Sequence, residues 1–96
     1  MNLPPGWIEI SAEEALGLEN ELAREVCSEH VLANVSAKCI ARRDGRDDFL
    51  FRVASDNGTY AVVHLTWSKE SSPDWPWTKL FSDIDDFNSN WRRLLD

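Results

Sequence analysis

The first regular pattern along the chain is helical. Apolar residues recur at intervals of three and four positions and so share one stripe: Ala15, Leu18, Leu22 and Val26. Ser11 precedes the stripe and Glu14 follows Ser11 by three residues, which is the spacing of a capping box. We therefore expect a helix from Ser11 to about Glu29. Its acidic residues are expected outside the apolar stripe: Glu13, Glu21, Glu25 and Glu29.

From residue 35 the period changes to two, which is typical of β-strands. Strands are expected over 35–42, 49–54 and 59–67, and the turn residues between them predict an antiparallel meander. Two registers remain open at the second hairpin. A two-residue turn at 57–58 places Phe51 opposite His64, whereas a three-residue loop at 56–58 places Phe51 opposite Val63. We prefer the second register, because it collects most apolar residues on one face.

The last third of the chain combines a loop, a short extended segment and a second helix. Trp75-Pro76-Trp77 predicts a loop, because proline restricts the residue before it to extended geometry. Residues 78–81 fit a short fourth strand, and Ser82 is a candidate cap for the final helix. The apolar stripe of this helix is regular: Ile84, Phe87, Trp91, Leu94 and Leu95. The predicted fold is a single α+β domain over 1–96, with the order α-β-β-β-(β)-α.

Composition narrows the function classes. The chain has 96 residues, with 10 basic and 17 acidic side chains and a formal net charge of −7. This acidity argues against binding to duplex nucleic acid, since clustered lysine and arginine supply most of that affinity. No apolar run approaches the length of about 20 residues that a membrane span needs, and the start does not resemble a signal peptide. We expect a cytoplasmic protein without membrane contact.

The preferred register predicts two unlike sheet faces. The apolar face holds Phe49, Phe51, Val53, Ala61, Val63, Leu65 and Trp67. The other face is mixed, and its basic and polar members are candidate ligand or partner contacts: Lys38, Arg42, Arg52, Tyr60 and His64. Two helices can both pack on the apolar face, or one can cover each face. We favour the first arrangement, because burying unpaired Lys38 or Arg52 is costly.

Three further groups are candidates for chemistry. Asp47 or Asp48 could orient His64 as a general base, but the preferred register puts Leu50 opposite His64 and leaves no nucleophile beside it. His30 and His64 with these carboxylates have ligand types without a metal-binding spacing, so no metal or cofactor is expected. Trp75 and Trp77 offer a stacking surface together with Trp67, although covering the core is the favoured interpretation of these tryptophans.

Several segments together resemble a family of small uncharacterised bacterial proteins. They are the run 42–51 with its Arg-Asp-x-Arg-Asp-Asp-x-Leu-Phe motif, the Val-Val-His-Leu-Thr-Trp segment 62–67 and the Trp75-Pro76 pair. The opening Leu3-Pro4-Pro5-Gly6-Trp7 also fits the Leu-Pro-x-Gly-Trp start of that family. The resemblance implies a bacterial source and assigns no activity.

Two functions follow as hypotheses. The first is a non-catalytic, immunity-like or regulatory module that binds another protein through charged surfaces, motivated by the glutamate-rich first helix. The second is a small-molecule or nucleotide-binding domain, and potentially an enzyme, that uses the basic and aromatic sheet face. A homodimer that pairs through the first or third predicted strand is a further reading.

Overall fold

A computed structural model describes residues 3–54 and 58–95. The chain forms one antiparallel sheet and two helices in the order β-α-β-β-β-β-α. Its elements are β1 Trp7–Glu9, α1 Ala12–Glu25, β2 Ala37–Arg43, β3 Asp48–Val53, β4 Tyr60–His64, β5 Trp77–Phe81 and α2 Ile84–Leu95. The five strands lie side by side in chain order. The α+β class is confirmed, and the sheet is wider than the three or four strands expected.

The outer strands are β1, which was not expected, and β5, which corresponds to the short fourth strand predicted at 78–81. β1 pairs with β2, with Trp7 opposite Arg43, and β5 pairs with β4, with His64 opposite Trp77. Strand β1 was not expected, because three residues are too few for an alternating pattern. The predicted first and third strands correspond to β2 and β4, which are both interior. The homodimer considered above, pairing through one of these two strands, is therefore not available at a sheet edge.

The β3–β4 register differs from both registers considered. Phe51 lies opposite Ala61, and the amide of Val53 donates to the carbonyl of Thr59 at 2.9 Å. The connection therefore spans 54–58, and the expected turn residues Asp56 and Asn57 lie outside the described residues. The preferred register is wrong by two positions. A two-residue shift conserves the alternation, so the predicted division of β3 and β4 into two faces holds.

The helices cover opposite faces of the sheet. Leu18 and Leu22 of α1 join the cluster that contains Phe51 and Val63. Phe87 and Trp91 of α2 join a second cluster with Trp7, Ala41, Leu50 and Val62. The expectation that both helices share the apolar face is wrong. The mixed face has its own fully buried centre at Leu50 and Val62, and α2 removes that apolar surface from water.

Helix α1 begins as predicted and ends earlier. The Ser11 hydroxyl accepts a hydrogen bond from the amide of Glu14 at 3.1 Å, while the Glu14 carboxylate lies 3.6 Å from Arg42. The helix ends at Glu25, four residues before Glu29, because the backbone of Val26 is extended. The expected polar position of Glu25 is also wrong, since its side chain is fully buried.

Helix α2 is capped by Asp83 rather than by the predicted Ser82. The Asp83 carboxylate accepts from the amide of Asp86 at 2.7 Å, and the Asp86 carboxylate accepts from the amide of Ser82 at 2.9 Å. These reciprocal bonds satisfy amides at the start of the helix. Phe87 and Trp91 of the predicted stripe are buried. The side chains of Leu94 and Leu95 lie outside the described part of the chain.

The cap predicts an acid-dependent contribution to stability. The amide of Ser82 and the side chain of Asn90 hold the pKa of Asp86 below its ordinary value of 3.8. Because the folded-state pKa is lowered, the stabilisation is present above that value and disappears as pH falls through the folded pKa. We expect Asp86→Asn to lower the free energy of unfolding at neutral pH. The difference from the wild type is expected to become smaller at acidic pH, and denaturation series at several pH values measure it. Asp85→Asn is the matched control, and an equal pH dependence there would contradict the assignment.

Candidate functional site

The basic residues predicted on one face do not form a continuous strip. A bulge at Ile40 changes the register, so that Cys39 lies opposite Phe51 whereas Ala41 lies opposite Leu50. The bulge inverts the alternation of β2, and Arg42 consequently belongs to the α1 face. There its guanidinium lies 3.6 Å from the carboxylate of Glu14. The expectation that Arg42 joins the mixed face is therefore wrong.

The remaining predicted residues separate into two groups at opposite ends of the sheet. Lys38, Arg52 and Tyr60 occupy one row across β2, β3 and β4. Lys38 lies 3.9 Å from Glu19, and Tyr60 packs against the α2 cluster. His64 is four residues along β4 from Tyr60, which corresponds to about 13 Å at the usual rise of a strand. It belongs with Trp75 and Trp77 at the other end.

His64 forms a hydrogen-bonded pair with Asp48. The two residues lie directly opposite one another in β3 and β4, and His64 Nδ1 is 2.8 Å from Asp48 Oδ1. The other carboxylate oxygen of Asp48 lies 3.3 Å from Nη1 of Arg43, whose guanidinium also lies over the ring of Trp91. An ionised Asp48 fixes the proton of a neutral imidazole on Nδ1. Nε2 has no hydrogen-bond partner among the described residues.

This pair has the geometry of an oriented base, but the cysteine considered as a nucleophile is not beside it. Cys39 lies on the α1 face, where burial raises the pKa of its thiol to about 12. The thiol is therefore protonated at neutral pH and unreactive. His30, a member of the ligand set considered above, already uses both ring nitrogens in contacts with Leu32 and Pro76. Across 3–54 and 58–95, no three histidine, cysteine or acidic side chains are grouped to hold a metal ion.

Three exposed tryptophans lie on segments at the end of the sheet where β4 leads into β5. We call Trp67, Trp75 and Trp77 the tryptophan end; their exposed fractions are 49%, 45% and 37%. Trp75 and Trp77 flank Pro76, which is buried and joined to Trp75 by a cis peptide bond. All three side chains are only partly buried, and of the three Trp67 packs on a core residue, Phe49. Trp7 and Trp91 are the buried tryptophans of the core, and their rings pack edge to face at 5.6 Å.

Trp67 is held at the surface by a buried carboxylate. Its backbone has φ 59, in the left-handed region that costs a residue with a side chain about 1 kcal/mol. Glu25 accepts hydrogen bonds from the amides of Trp67 at 2.7 Å and Thr66 at 2.9 Å. The Trp67 ring packs edge to face on Phe49 at 6.1 Å. The chain therefore fixes an exposed tryptophan in a strained conformation, a feature that clusters at functional sites.

Burial also changes the protonation of Glu25. Desolvation raises the pKa of its carboxyl, a hydrogen bond with Glu21 acts in the same direction, and bonds from Thr66 and Trp67 oppose them. The burial of Glu25 was not expected from the sequence, because a glutamate near a helix end usually faces solvent. One signal was present: Glu25 follows Leu22 by three positions and so continues the apolar stripe.

An open cleft of about 550 Å³ lies beside Trp75 and Trp77. It is lined by His30, Val31, Pro73, Asp74, Trp75, Pro76, Trp77 and Thr78. His30 anchors this cleft, because its Nδ1 accepts from the amide of Leu32 at 2.9 Å and its Nε2 donates to the carbonyl of Pro76 at 2.9 Å. The Thr78 hydroxyl also donates to that carbonyl at 3.0 Å.

Comparisons with known proteins give no relative from which these residues can be assigned a role. No protein-family model, curated protein or solved structure matches the chain. Within the described ranges, no helix is both long and apolar enough to cross a membrane.

Proposed function

We propose that this chain is a non-catalytic polypeptide-binding module whose contact surface is the tryptophan end. The observation that carries the proposal is the presence of three exposed tryptophans at one end of the sheet, with Trp67 held in a strained conformation. Tryptophan is the residue type most enriched at the energetic centres of protein interfaces, because a rigid ring buries a large area at little entropic cost. In an immunity-like or regulatory module, binding of this kind is itself the activity.

The chemistry of the cleft favours a polypeptide over a sugar or a nucleotide. The polar side chains of His30 and Thr78 are already hydrogen-bonded to the carbonyl of Pro76. Little polar capacity remains for the hydroxyl groups of a sugar. Asp74 also lines the cleft, and its carboxylate would repel a phosphate. An apolar side chain of a peptide suits the remaining surface of proline, valine and tryptophan.

The glutamates of α1 are expected to attract a partner from a distance more than to touch it in the complex. Three of its glutamates lie within 4 Å of a basic side chain of the same chain: Glu14 with Arg42, Glu19 with Lys38 and Glu21 with Arg24. A fourth, Glu25, is buried. The net charge of −7 nevertheless attracts a basic partner from a distance. We therefore place the contact at the tryptophan end and assign steering to the acidic surface.

The alternative of a small-molecule or nucleotide site on the basic sheet face has less support. Its proposed residues are divided between two faces and two ends of the sheet. Asp48 and His64 form a preorganised polar pair at the tryptophan end, but Cys39 lies on the opposite face.

A displayed library of random peptides tests the proposal. Peptides selected on the immobilised wild-type chain are expected to lose at least about tenfold in affinity with Trp77→Ala and with Trp75→Ala, because truncating an interface anchor costs about 2 kcal/mol or more. Titrations by calorimetry measure the dissociation constants. The matched control is Leu16→Ala, which removes an even more exposed apolar side chain from α1. Peptides that bind both tryptophan variants as tightly as the wild type would refute the assignment.

A further inference from the structure

β5 is an edge strand with an unpaired side. Its five residues pair with β4 along one side, and no strand of the described chain lies along the other. The opposite edge, β1, has three residues and is therefore a shorter template. A row of free N–H and C=O groups on an edge strand can pair with an added chain. Among the described residues, β5 is consequently the longest available edge.

The side chains of β5 leave this edge accessible. Trp77 and Leu80 are exposed, and Phe81 is buried against Phe87 at 5.5 Å between ring centres. Lys79 is a charge of the kind that protects edge strands from pairing. Its charge acts on Asp86 of α2, however, and contributes to the lowered pKa of that carboxyl. The positive charge of Lys79 is thus partly balanced by the carboxylate of Asp86.

The cleft of the tryptophan end continues directly from the start of β5. Trp77 is both the first residue of the strand and part of the cleft lining. An extended chain that pairs with β5 would therefore carry its next side chains towards Trp75 and Val31. Asp74 lies on the same lining, and its carboxylate has no ion-pair partner among the described residues. A lysine or arginine of the added chain would complement it.

We infer that β5 accepts an extended peptide as a sixth strand, with an apolar side chain in the cleft and a basic residue beside Asp74. The inference rests on the proposed binding function and specifies the form and charge of the partner segment. Backbone hydrogen bonds supply affinity in such complexes, and the side-chain cleft supplies selectivity. The acidic net charge of the chain favours the same basic segment at long range.

Backbone methylation of a selected peptide tests strand addition. The probe is a synthetic copy of one library peptide of about ten residues, the upper length of ordinary strands. In an added strand only alternate N–H groups point at β5. N-methylation of one alternate set is therefore expected to weaken binding at least about tenfold, and methylation of the other set to change it less than about twofold. The amides of 77–81 are expected to gain protection from hydrogen exchange in the complex.

The outcomes separate this inference from the proposed function. Strand addition is overturned, and the tryptophan contact is not, by a peptide with three properties. Its affinity falls with Trp77→Ala, both N-methylation sets change its affinity equally, and it gives the amides of β5 no protection from hydrogen exchange. A peptide that is indifferent to Trp77→Ala overturns both. Ile8→Ala on β1 is the control edge variant and is expected to bind normally. Selected peptides without basic residues, or unchanged affinity with Asp74→Asn, overturn the charge assignment. If the free chain sediments as a dimer and the amides of β5 are protected in that dimer, a second copy of the chain and not a peptide pairs with β5.

Discussion

Trp91→Ala is expected to lower the free energy of unfolding by about 3–5 kcal/mol. Trp91 is buried on α2, and its ring packs edge to face on Trp7. It also lies beneath the guanidinium groups of Arg43 and Arg92, at 4.9 and 5.3 Å from the ring centre. The truncation removes a large apolar area from the α2 cluster and leaves a cavity that the sheet cannot close. Urea denaturation followed by circular dichroism measures the loss.

Trp75→Ala is the matched control, because it removes the same side chain from an exposed position. It is expected to change the free energy of unfolding by less than about 1 kcal/mol, as most exposed substitutions do. Equal losses for the two variants would show that α2 does not form the cover of the second face. A large loss at Trp75 alone would instead assign the tryptophan end to the core.

Glu25→Ala is expected to lower the free energy of unfolding by about 4 kcal/mol. The substitution removes the acceptor of two backbone amides, those of Thr66 and Trp67. Leaving a buried donor unsatisfied costs about 1–3 kcal/mol, and the loop that presents Trp67 loses its attachment to α1. Denaturation series measure the loss, with Glu13→Ala on the exposed side of the same helix as the control. A cost below about 1 kcal/mol would contradict the structural role of this carboxylate.

Glu25→Gln separates the hydrogen bonds from the charge. The amide keeps the side-chain volume and one acceptor oxygen, so the cost is expected to be smaller than that of alanine. Burial raises the folded-state pKa of Glu25 above its ordinary value of 4.5. The folded state therefore retains the proton longer, and wild-type stability falls relative to Glu25→Gln as pH rises from 4.5 through the folded pKa. Parallel denaturation series for the two proteins measure this difference, and an increase with pH would refute the direction of the shift.

The residues of the predicted basic face could not be grouped correctly from strand alternation alone. Strict alternation placed Arg42 with Arg52 and His64, but one extra residue at Ile40 reverses the direction of every later side chain in β2. The Asp48–His64 pair was within reach of sequence reasoning, because its residue types were identified. It was discounted because the hairpin register was wrong by two positions, and register depends on the connection over 54–58.

Four features could be predicted from the amino-acid sequence alone: the α+β class, the start of α1, the face division of β3 and β4, and the apolar stripe of α2. These features follow from periodicity and capping, which act over a few neighbouring residues. Four others could not be predicted in this way: the edge strand β1, the placement of one helix on each face, the burial of Glu25 and the exposure of the tryptophan end. Each depends on contacts between residues distant in the chain, as when Glu25 accepts from Trp67, and no local pattern encodes which distant groups will meet.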